Sequence, residues 1–324
     1  MKKDYLRKVL RLFFILFFII CANNTFAQDF STFVKKDLVV GNTNENKEEN
    51  IILSYPTDVV IDSQKNIYVI DSYFLYKFNN LGKLIFKKEF LKGKGPGEFI
   101  EPYDLTYINE HIYILDHVLE RVSILDQKGN YLNSFQIPFL AYKLSKWKKK
   151  YLILLGEYNE NIFHVFTTKG KYKYGFGNPF SRPPNLKGLT SSGMEWYVNF
   201  DTIYAISPFK SIINKYIDKK LSNTYFIKDI NISPPKGYNT RTGAITFIFP
   251  SGINGIVAYK NKLFITTFKV IPKPSKYYFY IYNMENKKLI KVFKIKYYLK
   301  IARVDSTGKF YLLGTTYFMR VKIK

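Results

Sequence analysis

The feature that most limits how this chain can fold is a repeat of about 46 residues near its start. One copy runs Pro56-Thr57-Asp58, Ile67-Tyr68-Val69-Ile70-Asp71, Leu75-Tyr76-Lys77-Phe78 and Gly82. The next runs Pro102-Tyr103-Asp104, Ile112-Tyr113-Ile114-Leu115-Asp116, Arg121-Val122-Ser123-Ile124-Leu125 and Gly129. Pro56 and Pro102 lie 46 residues apart, Asp71 and Asp116 lie 45 apart, and Gly82 and Gly129 lie 47 apart. A unit that recurs at such spacing buries its faces against its neighbours rather than within itself. Its segments are short, β-branched and aromatic, with turn residues at both ends, so they read as strands. Ile67–Ile70 and Ile112–Leu115 are apolar on both faces, as strands packed between layers must be. Asn79–Lys83 and Asp126–Asn130 read as hairpin turns with glycine supplying a positive φ. Four short strands in this length make one blade of a β-propeller.

Fainter copies follow. Tyr151–Leu155 with Ile162–Phe166, Thr202–Ile206 with Ile212–Tyr216, and Gly255–Tyr259 with Leu263–Ile265 and Tyr278–Tyr282 supply three more units. A sixth runs from Ile301–Asp305 through Phe310–Leu313 to Tyr317–Ile323, and it lacks an outer strand that Phe33–Val40 can provide. The expected fold is all-β: a six-bladed propeller of four-stranded blades, its ring closed by strands from both ends of the chain, which protects the last sheet edge. No sustained spacing of three and four residues predicts a long helix. Asn42–Asn50, Asn178–Gly193 and Ser233–Thr242 read as loops, the last two long enough to line a binding face.

The first 27 residues read differently. Basic residues at Lys2, Lys3, Arg7, Lys8 and Arg11 precede an apolar run from Leu12 to Ala22, too short to span a bilayer. Thr25 and Ala27 suit cleavage before Gln28, so residues 1–27 are expected to be a secretory signal peptide and residues 28–324 one propeller domain. Cys21, the chain's single cysteine, leaves a lipid anchor as the alternative, although Ile20 before it departs from the small residue that such processing uses. The expected location is the periplasm, the cell surface or the medium. The net charge of +25, or +21 once the leader's five basic and one acidic residues are removed, attracts anions such as phosphorylated or sulfated glycans. The lysines are spread along the chain, which equally fits a solvated surface, and export argues against nucleic acid as the partner. The densest group, Lys146-Trp147-Lys148-Lys149-Lys150, reads as a turn between strands.

The segments Gly93–Phe99, Pro102-Tyr103-Asp104, Ile112–Asp116, Arg121-Val122, Asp126 and Gly129 resemble the NHL-repeat and TolB-like six-bladed propellers of exported bacterial proteins. The resemblance is specific over about residues 55 to 136. It implies a propeller that binds ligands or partners at its ring openings, and adds little chemistry.

Gly93–Phe99 lacks the Gly-Lys-Ser/Thr ending and following helix of a phosphate loop, and reads as a link between blades. Asp71 and Asp116 sit at equivalent strand ends, where they either ring the channel and hold a divalent cation such as calcium, or accept backbone N–H groups and fix a turn. Arg121 is expected to pair with such a carboxylate. His111, His117 and His164 occupy unequal repeat positions, which argues against a metal ring. Glu98, Asn199 and Asp201 offer the Glu/Asn/Asp set of propeller lactonases, with no spacing that singles them out. No Gly-x-Ser-x-Gly elbow occurs. Trp147, Trp196 and Tyr197 are candidates for stacking on a sugar, with packing between blades as the alternative. The expected function is therefore a non-catalytic binding or scaffold propeller for a protein or glycan, with no catalytic residues and no cofactor. The alternative is a metal-dependent lactonase or lyase at the channel mouth.

Overall fold

Six antiparallel sheets of four strands follow one another along the chain in the computed structural model. It describes residues 28–41, 51, 53–181, 194–207, 210–230, 232, 236–239, 245–248, 251–269 and 275–323. The expected signal peptide, Cys21 and the Asn42–Asn50 loop lie outside those residues, as does most of Asn178–Gly193.

Blade I comprises Pro56–Ile61, Ile67–Asp71, Phe74–Phe78 and Leu84–Glu89, and blade II comprises Pro102–Ile108, His111–Asp116, Arg121–Leu125 and Tyr131–Gln136. Blade III runs Lys143–Trp147, Tyr151–Tyr158, Asn161–Thr167 and Tyr172–Phe176, and blade IV runs Glu195–Asn199, Thr202–Ile206, Ile212–Ile217 and Lys220–Phe226. Blade V holds Ser251–Tyr259, Lys262–Lys269, Lys276–Asn283 and Leu289–Ile295. Blade VI holds Lys300–Val304, Lys309–Leu313 and Tyr317–Ile323, completed by Val34–Gly41 from the start of the chain.

Burial follows the radial position of each strand. Every residue of Ile67–Asp71 is buried, because blades pack on both of its faces. Leu84–Glu89, the outermost strand of the same blade, alternates half-buried and exposed. Six apolar clusters fill the seams, among them Ile70, Leu105 and Ile114 between blades I and II, and Val59, Tyr311 and Phe318 between VI and I. The last seam shows that the ring is closed rather than an open stack.

Closure rests on Val34–Gly41 lying antiparallel to Tyr317–Ile323, with Val34 opposite Ile323 and Gly41 opposite Tyr317. Arg320, 5% exposed, donates from Nε to Asp37 at 2.8 Å and from Nη1 to the Asn80 carbonyl at 2.9 Å. It thus ties the entering strand to blade I. Before that strand, Gln28–Asp29 adds a short parallel pairing on blade V, and Phe30–Phe33 turns once as a helix. Phe30 and Phe33 pack on Phe293 at 5.8 and 4.6 Å between ring centres.

The turns repeat as strictly as the strands. Gly82 and Gly129 take φ of +82° and +80°, and each donates its N–H to the carbonyl three residues back. A residue with a Cβ would be strained at that φ, which is why glycine stands at the same place in both blades.

Three expectations are corrected. The Lys146–Lys150 group is not all turn: Lys143–Trp147 is the innermost strand of blade III, and only Lys148–Lys150 turn. Glu195–Asn199, which carries Trp196 and Tyr197, is the innermost strand of blade IV. Within the segment expected as the Ser233–Thr242 loop, Lys236–Asn239 pairs with Ile245–Ile248 as a hairpin.

Candidate functional site: the central channel

The innermost strand of each blade lines the channel, and three of them carry acids where the other charged positions carry bases. Asp58, Asp104, Lys143, Glu195, Lys300 and Arg303 converge on a central cavity of about 30 Å³. A space of that size holds a water molecule or two and no organic ligand. Charges buried so deeply persist only when paired. Arg303 Nη2 meets Asp58 Oδ2 at 3.1 Å, and Lys143 meets Glu195 at 3.3 Å. Arg303 also donates to the carbonyls of Val59 at 3.0 Å and Leu105 at 3.1 Å, while the Lys300 ammonium donates to Thr57 at 2.9 Å.

Asp58 and Asp104 occupy equivalent positions of their repeats and hydrogen-bond to one another, yet they differ in protonation. Burial disfavours the charge on Asp58, but the Arg303 guanidinium and the Asp104 hydrogen bond outweigh it and hold the carboxyl at about 2. Burial and then the neighbouring Asp58 carboxylate push Asp104 well above the usual carboxylate range. Of the two, Asp104 therefore holds a proton the more tightly. The Asp104 oxygens also accept the N–H groups of Leu105 at 3.1 Å and Leu144 at 2.8 Å, which join blades II and III at the channel wall. Burial opposes the charge of Lys143, and Glu195 restores and strengthens it. Lys300 is pushed down by burial and by the charge of Lys143.

The channel opens on two sides of this girdle. On the face where the innermost strands begin, a cavity of about 190 Å³ is lined by Tyr103, Phe268 and Tyr298, with Ile232 and Asn254. Burial pushes the Tyr298 phenol up to about 12, against a hydrogen bond with Asn254. On the face where those strands end, a wider cavity of about 410 Å³ is bounded by Tyr107, Lys146, Lys149, Asn199 and Phe200, with Arg303 at its floor.

The residues expected to act were only partly brought here. Asp71 and Asp116 end the second strands, not the innermost ones, and line none of these cavities. Asp71 accepts the N–H groups of Ser54 at 2.8 Å and Tyr55 at 2.5 Å. Asp116 accepts those of Ile100 at 2.7 Å, Glu101 at 3.1 Å and Leu119 at 3.0 Å. Each carboxylate thereby anchors the chain as it enters its blade. Arg121 pairs with no carboxylate as expected: its guanidinium donates to the carbonyls of Lys94 at 2.8 Å, Gly95 at 3.2 Å and Glu98, and so holds the loop between blades I and II.

Trp147 is fully buried and donates from Nε1 to Tyr174 at 3.2 Å, and Trp196 stacks on Phe163 at 5.9 Å within the seam of blades III and IV. Tyr197 lines the central cavity, where burial pushes its phenol to about 12. Glu98 accepts the Gly95 N–H at 2.7 Å in its own loop, far in sequence and role from Asn199 at the wider mouth. His164 is buried, with its Nε2 at 3.1 Å from the Gly156 carbonyl. His117 lies 3.5 Å from Glu101 in blade II. Among the described residues no group of three His, Cys, Asp or Glu side chains could hold a metal ion. The sequence did signal two of the channel charges, Asp58 and Asp104, through the repeated Pro-x-Asp. Lys143, Glu195, Lys300 and Arg303 follow no repeat pattern and emerge only from the ring.

The sequence matches no family model and no curated protein. Solved structures are similar in fold. A protein of Bacteroides fragilis named as exported superposes with a TM-score of 0.62 at 14% identity, covering 92% of this chain and 97% of its own. A member of the DUF4221 family from Bacteroides vulgatus gives 0.56 at 12% identity, covering 90% and 99%. Virginiamycin B lyase from Staphylococcus aureus, solved with quinupristin, gives 0.50 at 14%, covering 89% and 99%. Identities this low establish the shared propeller architecture.

Proposed function

We propose that this chain is a non-catalytic exported propeller, of the NHL-repeat and TolB-like type, that presents the face where its innermost strands begin to a protein partner. The observation that carries this reading is the number of exposed large apolar side chains in the connections of that face, five among the described residues, against Leu81 and Phe200 in the connections of the opposite one. Tyr55, Leu91, Val118, Leu140 and Tyr297 are 57, 72, 51, 36 and 43% exposed. All five sit in connections that enter an innermost strand or leave a second strand, so the ring topology gathers them on one face. Apolar groups collected on one side of a monomer mark an interaction surface. The long connections after blades III and IV start and finish on that face as well. Meanwhile Asp58 and Glu195 are paired with Arg303 and Lys143, and the space that the girdle encloses, about 30 Å³, admits no organic substrate, which makes the girdle a structural plug. The exported name of the Bacteroides fragilis neighbour accords with the leader expected at residues 1–27.

The test is capture of envelope proteins by immobilised residues 28–324. A partner retained by the native chain should be lost with the combined Leu91→Asp, Val118→Asp and Leu140→Asp changes, and kept with Leu81→Asp on the opposite face, all three proteins melting alike. Retention by the triple variant with loss through Leu81→Asp would refute the assignment.

A further inference from the structure

We propose that the wider mouth, on the face opposite the one offered to a partner, is a binding site for a small sugar bearing a phosphate or sulfate group. Its volume of about 410 Å³ falls in the range of small-molecule pockets, and the girdle closes it from below. Cations from three blades border it: Lys65 in blade I, Lys146 and Lys149 in blade III, and Arg303 in blade VI.

Lys65, Lys146, Lys149 and Arg303 outnumber the two acids of the lining, Asp62 and Asp305, and Lys65 is near enough to Asp305 to help lower its carboxyl. None of the three lysines makes an ion pair among the described residues. The two acids at the rim are committed to their own turns. Asp62 accepts the backbone and side-chain N–H groups of Asn66, each at 2.8 Å, and Asp305 accepts Thr307 N–H at 2.8 Å, its hydroxyl at 2.6 Å and Lys309 N–H at 3.1 Å. Arg303 spends Nε and Nη2 on Val59, Asp58 and Leu105, and among the described residues its Nη1 takes no hydrogen bond. Burial first, and then the charges of Arg303 and Lys149, push the Lys146 ammonium down. A multivalent oxyanion relieves that repulsion and accepts charge-assisted hydrogen bonds from each amine.

The rest of the wall suits a ring. Tyr107 and Phe200 flank the cavity with aromatic surface, and Asn199 brings an amide with both donor and acceptor atoms. The Lys149 ammonium lies 6.0 Å from the centre of the Phe200 ring, a contact that holds the amine at the mouth without neutralising it.

The site is tested by calorimetric titration of residues 28–324 with glucose 6-phosphate, glucose 6-sulfate, glucose and inorganic phosphate at about 150 mM salt, where general surface attraction is screened. One or both esters should bind, and glucose should not. The stronger ester identifies the anion. Lys146→Met with Lys149→Met should weaken binding by roughly tenfold or more, since two charge-assisted bonds are lost. Lys146→Arg with Lys149→Arg should retain it, and Lys219→Met with Lys287→Met, equal in charge removed, should leave it unchanged. Both substituted lysines have side chains that reach solvent, so an unchanged melting temperature verifies folding. Absence of binding by either ester overturns the proposal. So does equal weakening in the control pair, or inorganic phosphate binding as tightly as the esters.

Discussion

Asp58 and Asp104 stand at the same position of successive repeats, and replacing each by Asn should have opposite consequences. Asp58 is the charged member. Burial opposes that charge, but Arg303 and Asp104 hold the carboxyl at about 2 against an ordinary 3.8, a shift that contributes roughly 2 kcal/mol of stability. A lowered carboxyl contributes fully above its unfolded value, and the contribution is lost as pH falls from about 4 towards 2. Asp58→Asn removes it and leaves Arg303 with Asp104 as its remaining acidic neighbour, so the expected cost at neutral pH is about 3 kcal/mol. Asp104 is the member that holds a proton the more tightly, because burial and the Asp58 carboxylate both raise it. Its raised pKa means that the unfolded chain ionises first, so native stability falls as pH rises from the unfolded value towards the folded one.

An amide at 104 is close to isosteric with the protonated acid. Its NH₂ can donate to Asp58 and its oxygen can still accept Leu144 N–H, now 2.8 Å from Oδ2, while the longer bond from Leu105 N–H to Oδ1 at 3.1 Å is lost. Asp104→Asn should cost less than about 1 kcal/mol near pH 4 and become progressively favourable relative to the native chain above it. Urea unfolding of residues 28–324 between pH 4.5 and 8 reads both effects as midpoint shifts at constant slope. Equal losses for the two variants, or a larger loss for Asp104→Asn with no change in pH dependence, would refute the assignment of charge and proton.

Two further outcomes follow from the ring and its anchors. Arg320→Met should lower stability by about 2–3 kcal/mol, because it frees the closing strand from blade I and leaves Asp37 partly buried without its guanidinium. Burial opposes the Asp37 charge, but Lys309 and Arg320 hold its carboxyl low, so the native chain's advantage over the variant should shrink as pH falls below about 4. Urea midpoints at pH 7 and pH 3 that give the same difference would count against this. Asp116→Ala, which orphans three N–H groups, should cost about 3 kcal/mol and more than Asp71→Ala, which orphans two. Dialysis against a chelator should leave the native melting temperature unchanged, and a fall reversed by calcium would assign the carboxylates to a cation instead.

The repeat alone determined the fold class, the blade count and the closure by strands from both ends. Those conclusions depend on local pattern: short β-branched runs, glycine where φ must be positive, and a spare strand ahead of the first blade. Asp71 and Asp116 were legible as repeating anchors for the same reason, since each bonds to chain less than twenty residues away. The innermost strands of blades III and IV escaped because Lys143–Trp147 and Glu195–Asn199 carry charges on their channel side, which hides the apolar alternation of a strand. Trp147 and Trp196 looked available beside lysines and a loop, yet the ring turns both into the seams between blades. Above all, the channel joins residues as distant as Asp58 and Arg303, 245 positions apart, and no spacing encodes that meeting. Local pattern can say which segments are strands; only closure of the circle brings six strands to one axis, and with them the charges that plug the channel and the cations that border its wider mouth.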